Sequence, residues 1–217
     1  MLDELLARAR ADDNVVGVVL HGSRARGAYV REDSDWDVIL VVRELRDEYE
    51  TVRGGPLEVA QIRDLTRLPE WMLPAVTWAT PALDKTGEVA EALRTITTVD
   101  PATAARPLDA YVNSYYRSAK STGLAALLDA QESIPWFLQF VFNVHGRIRP
   151  YNTWLEWELR EHPLPVEVDL ELLRRIGASG EIGAQQQLFR STERLAREAG
   201  LGAVVDGWEP DLEWLRG

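Results

Sequence analysis

The stretch LHGSRARGAYVREDSDWDVILVV, Leu20 to Val42, joins the end of one apolar run (NVVGVVLHG) to the start of another (WDVILVV). Both runs are short, rich in β-branched residues and bounded by turn formers, which reads as two buried strands. Gly22-Ser23 closes the first strand, and Asp35 and Asp37 open the second. Residues i and i+2 of a strand point to the same face, ~7 Å apart along it. Two carboxylates so placed repel each other, and burying them unpaired is costly. A divalent cation removes both problems. Mg²⁺ prefers oxygen ligands and usually takes a few carboxylates together with substrate phosphate oxygens. The plainer alternative is a solvated strand entry with turn-forming neighbours.

Reading outward, GGPLEVAQIRDL begins with turn residues and then alternates, with Leu57 and Val59 on one side and Glu58 and Ala60 on the other. Glu58 is a third carboxylate that can complete a metal site or act as base. At the other end of the stretch, Gly22 lets the backbone approach a ligand closely. The amides that follow and the Ser23 hydroxyl can donate to phosphate oxygens, more so if residues 23–29 begin a helix. Gly27 allows a further tight turn, and Ser34 adds a hydroxyl beside Asp35.

The remaining N-terminal segments supply a helix (LDELLARARA) and a fourth strand within AVTWATPALD, interrupted by Pro81 and followed by a turn at 85–87 and a second helix. Around 98–106 the large apolar residues thin out, and a domain boundary is placed there: residues 1–103 and 104–217. Beyond it the period is helical, over roughly 107–130, 134–147, 152–161, 168–177, 182–199 and 209–216. The expected fold is α+β: an α/β-type N-terminal domain with a small mixed sheet flanked by helices, plus an all-α C-terminal helical bundle.

Composition narrows the function. With 217 residues and 46% apolar side chains the chain can build a real core, and no run approaches the ~18 apolar residues of a membrane span. No basic leader precedes an apolar segment, so a cytoplasmic protein is expected. There is no cysteine, which removes disulfides, thiolate catalysis and cysteine–zinc sites, and His21, His145 and His162 show no ligand spacing. A net charge of −11 repels phosphate backbones, so broad nucleic-acid binding is not expected, whereas a cationic small molecule is attracted. The same charge also serves simple solubility.

The order Gly-Ser, three residues, Gly, then Ser-Asp-x-Asp and an apolar strand resembles the signature of the DNA polymerase beta-like nucleotidyltransferase superfamily in its minimal bacterial form. PLEVAQI is similar to the strand that carries the third acidic residue in aminoglycoside adenylyltransferases, and a helical second domain also matches the antibiotic nucleotidyltransferases. The resemblance implies transfer of a nucleoside monophosphate, AMP from ATP, to a hydroxyl of a small molecule such as an aminoglycoside antibiotic, with release of pyrophosphate. It implies two Mg²⁺ ions on Asp35 and Asp37, with Glu58 as third ligand or base, and Gly22, Ser23 and Ser34 near the triphosphate.

In the helical half, Asn113, Arg117 and Lys120 share one helix face, and Lys120 is one of two lysines beside 22 arginines. The resemblance makes Arg117 and Lys120 candidates for the triphosphate; the alternative is a solvated basic face. In RIRPYNTWLEWELRE, Glu156 or Glu158 could meet a cationic acceptor or replace Glu58 as base, while the tryptophans read as core. Two other functions are weighed. One is a toxin–antitoxin type transferase that modifies a partner protein; the other is a non-catalytic nucleotide-binding module. No histidine here follows an arginine at the spacing of a nuclease partner, and the joint presence of Gly22, Ser23, Asp35, Asp37 and Glu58 argues against an inactive site.

Overall fold

The computed structural model describes residues 2–27, 29, 30, 32, 34, 36–50 and 57–217. The chain forms two compact units: residues 1–98 together with 150–160, and residues 99–149 together with 161–217. The first is α+β and the second is helical.

In the first unit the strands are β1 (Val15–His21), β2 (Asp37–Val42), β3 (Leu57–Gln61) and β4 (Thr80–Asp84), and the helices are α1 (Leu2–Ala11), α2 (Gly22–Arg26), α3 (Asp47–Glu50), α4 (Ile62–Leu65), α5 (Leu73–Val76) and α6 (Glu88–Thr97). The strands form one sheet in the order β3-β2-β1-β4. The sheet is mixed, because β1 runs antiparallel to β2 and to β4, whereas β2 and β3 are parallel.

Alternation divides the apolar residues between two faces. Val19, Ile39 and Val41 face Leu65, Met72, Val76, Val89 and Leu93 from α4 to α6 and the turn before α5. Val18, Val38, Leu40 and Val42 face Ala9 of α1 and Tyr49 of α3. β2 is therefore apolar on both sides, which explains its unbroken VILVV run.

The fourth strand begins at Thr80, after α5 has taken up Leu73–Val76. It lies at the sheet edge, and Pro81 pairs with Val19 beside a register shift, the kind of position where a strand tolerates proline. The turn after it is tied by Asp84, whose carboxylate accepts from the amides of Gly87 (2.9 Å) and Ala90 (2.9 Å) and so caps α6.

The helical unit contains α7 (Ala105–Lys120), α8 (Gly123–Val144), α10 (Leu170–Ser179), α11 (Ile182–Glu198), α12 (Gly202–Asp206) and α13 (Leu212–Arg216), while α9 (Leu155–Glu161) falls almost wholly in the first unit. Leu108, Tyr111, Val112 and Tyr115 are buried along α7, and the Tyr115 hydroxyl donates to the Leu215 carbonyl at 2.8 Å.

The helix expected over 107–130 is two helices. Ser121 and Thr122 take extended backbone between α7 and α8, and the Ser118 hydroxyl donates across this turn to the Ala126 carbonyl at 2.8 Å. Pro135, expected near a helix start, lies inside α8. It removes one backbone donor, but Ala130, Phe137 and Leu138 pack on either side and hold the helix through it. Among the described residues, no helix is long and apolar enough to cross a membrane.

Leu65 is fully buried beneath the sheet. Leu65→Ala is expected to lower unfolding free energy by about 2–5 kcal/mol, measured as a shifted urea midpoint with an unchanged slope.

Candidate functional site

The strand register brings the polar residues together. His21, the last residue of β1, pairs with Asp37, the first of β2, and Glu58 of β3 pairs with Ile39 of β2. Directly paired residues share a face, as do i and i+2 on one strand. His21, Asp37, Ile39 and Glu58 therefore lie on one face, the face whose interior is the core under α4 to α6. Sheet spacings put the Asp37 and Glu58 Cα atoms ~8 Å apart.

The electrostatics agree with this placement. Burial pushes the His21 imidazole below its ordinary value, and the charges of Asp37 and Glu58 pull it back up. Both ring nitrogens of His21 are buried and have no hydrogen-bond partner among the described residues. Asp37 is half-buried and Glu58 is exposed, so both carboxylates remain accessible at the strand ends.

Gly22 shows why a glycine is needed here. Its φ is +70°, a left-handed value, and a Cβ at this position would lie 2.0 Å from Asp37 Oδ2. The β1–α2 turn thus passes directly against the carboxylate, and any side chain on residue 22 would occupy the space in front of it. Ser23 follows as a half-buried residue of α2.

Ser34 is held through its backbone. Arg24 Nε and Nη2 donate to the Ser34 carbonyl at 2.9 and 2.6 Å, and the same guanidinium lies 4.8 Å from the Trp36 ring centroid. Arg24 therefore ties the approach to β2 onto α2. Asp35 lies outside the described residues.

The donor chemistry suits a hard divalent cation. Asp37 and Glu58 offer oxygen only. Among the described residues no group of three His, Cys, Asp or Glu side chains could hold a metal ion. A cation held here by one or two carboxylates would complete its shell with substrate oxygens and water, as Mg²⁺ commonly does.

The residues singled out in the helical half have other partners. Arg117 pairs with Asp129 at 2.5 Å and with Glu132. The Lys120 ammonium is 3.6 Å from Asp211 and 4.1 Å from the centroid of the Tyr116 ring. Both cations are paired with carboxylates inside the helical unit.

Glu158 is fully buried and accepts from Trp78 Nε1 at 2.8 Å, with Arg26 Nε 3.9 Å away. This corrects its reading as an open base or acceptor contact: a fully buried carboxylate that accepts from Trp78 and pairs with Arg26 is closed off from substrate. Glu156 is exposed on the same helix. Sequence reasoning passed over His21, Arg24, Arg26 and Trp78. Arg24 and Arg26 stood inside the quoted stretch, but the partners that give them a role lie at 34–36, 74 and 154–158.

Residues 2–92 match the family model described as the nucleotidyltransferase domain. The matched segment contains all four strands, Gly22, Ser23, Asp37 and Glu58, and supports nucleotidyl transfer as the general class of activity. No curated protein matches the chain.

Gly22→Ala is expected to cost about 1–3 kcal/mol through the left-handed φ and the clash with Asp37. In an Asp37→Ala background the contacts at 2.0 and 2.8 Å are removed and only the 3.2 Å contact to Cβ remains, so a double-mutant cycle in urea should show coupling between the two positions. Additive effects would refute the close approach.

Proposed function

We propose that the protein is a Mg²⁺-dependent nucleotidyltransferase that moves a nucleoside monophosphate, AMP from ATP, onto a hydroxyl of a small cationic acceptor of the aminoglycoside type. The observation that carries this reading is the approach of the Gly22 turn to Asp37, with Glu58 on the same sheet face, inside the segment that matches the nucleotidyltransferase domain. The net charge of −11 favours a cationic acceptor over a nucleic acid.

In this reading Asp35 and Asp37 would hold the divalent cation, with Glu58 beside them as third ligand or base. The cation supplies charge neutralisation on the triphosphate and on the oxygens that gain charge during transfer. The Ser23 hydroxyl donates to a phosphate oxygen beside the Gly22 turn, where no side chain blocks the triphosphate. The acceptor oxygen forms a bond to the α-phosphorus as the α–β bridging bond breaks, and pyrophosphate leaves with that electron pair. Glu58, exposed at the strand end, takes the hydroxyl proton. Arg24 keeps the entry to β2 in place by its two bonds to the Ser34 carbonyl.

The test is transfer of label from α-labelled ATP, GTP, CTP and UTP, with Mg²⁺, across a panel of aminoglycosides and lincosamides. Antibiotic-dependent labelling with stoichiometric pyrophosphate is expected, strongest with ATP. Asp37→Asn should lower the rate on the order of 10²–10³-fold with an unchanged circular dichroism spectrum, and chelation of the metal should abolish it. No labelling anywhere in the panel rejects the antibiotic acceptor. An active Asp37→Asn rejects the role of Asp37.

A further inference from the structure

Arg26 ends α2 one helical turn after Gly22, and it is held from several sides within the first unit. Its side chain and that of Glu158 are each 1% exposed, with Nε 3.9 Å from Glu158 Oε2. Nη2 donates to the Pro74 carbonyl of α5 at 3.1 Å. The guanidinium lies 4.0 Å from the Trp154 ring centroid and 5.6 Å from that of Trp157. Trp78 Nε1, from the turn before β4, donates to the same Glu158 oxygen at 2.8 Å.

As a source of stability this cluster is poor. Among the described residues Arg26 Nε and Nη1 have no hydrogen-bond partner, and burial lowers its pKa to about 10 against the opposing charge of Glu158. Apolar residues of the same volume would fill the space at less cost than an incompletely satisfied buried pair. What the pair supplies is direction: a planar cation between tryptophans, with one carboxylate and one carbonyl, admits one placement of α2.

We infer that Arg26 and Glu158 are positioning residues for the triphosphate: α9 fixes α2, and through it the placement of Gly22 and Ser23 against Asp37. The inference rests on the nucleotidyl-transfer reading, and it makes nucleotide affinity depend on residues 150–160, a segment outside the matched domain. Arg26 and Glu158 touch no reacting atom in this account and act only through α2.

The test compares Glu158→Gln, Arg26→Lys and Leu65→Ala in the full chain. Glu158→Gln keeps the acceptor for Trp78 and removes the charge; Arg26→Lys keeps the charge and removes the fork. Leu65→Ala is a destabilised control away from the cluster. Binding of Mg²⁺ with ATP, GTP, CTP and UTP is measured by calorimetry at a temperature where each variant is folded, together with hydrogen exchange over residues 20–27. Glu158→Gln and Arg26→Lys should weaken triphosphate binding roughly tenfold or more and speed exchange locally over 20–27, whereas Leu65→Ala lowers Tm without changing the affinity. If the Glu158→Gln and Arg26→Lys variants bind like wild type, or if exchange rises evenly through the unit, the positioning role is overturned. Wild-type protein that binds none of the four triphosphates overturns the nucleotidyl-transfer reading and this inference with it.

Discussion

The close approach of the Gly22 backbone to the Asp37 carboxylate is the constraint on which the rest of the candidate site depends. It needs the β1–β2 pairing, because only that register sets His21 and the turn after it opposite the first residue of β2. It also needs a residue without a side chain at φ +70°. A larger residue would push the turn away and close the space in front of the carboxylate. The sheet core and the glycine are thus two parts of one requirement, the first fixing where Asp37 stands and the second letting the turn pass against it.

The same geometry explains how an apolar strand can carry acidic residues at its mouth. Each face of β2 is buried from Val38 to Val42 against helices, and Asp37 sits one residue outside that covered length. Glu58 lies near the start of its own strand, on the same face. Both carboxylates thus lie toward the ends of their strands on one sheet face. His21 sits beside them with both nitrogens buried and unpartnered among the described residues, which costs stability that the apolar strand behind it must offset.

Local patterns made much of this legible. The two β-branched runs, the Gly-Ser turn and the alternation that separates Glu58 and Ala60 from Leu57 and Val59 are features of adjacent residues, so periodicity finds them. The break at 121–122 was missed because Ser and Thr are weak helix breakers, and the apolar period continues in phase on both sides. Arg117 and Lys120 drew attention as a basic helix face, but their acidic partners lie on other helices, where no spacing rule reaches. The partners of Glu158 are equally distant in sequence. Its neighbours in sequence read as an amphipathic helix end, while Trp78 and Arg26 are far away along the chain.

The return of residues 150–160 to the first unit alters what the domain is. The chain passes between the two units at 98–99, at 149–150 and at 160–161, so the α+β unit is assembled from two separate pieces. A hydrophobic patch alone would let the second piece dock in several ways, because apolar contact has little directionality. A buried cation and a buried acid do not allow that: any placement that leaves either without its partner carries the full cost of an uncompensated charge. Placing that pair at the end of α2, the helix that begins with Gly22-Ser23, ties the docking of the distant piece to the placement of the turn against Asp37. The energetic penalty that makes the cluster a poor source of stability is also what makes it selective for one arrangement of the site.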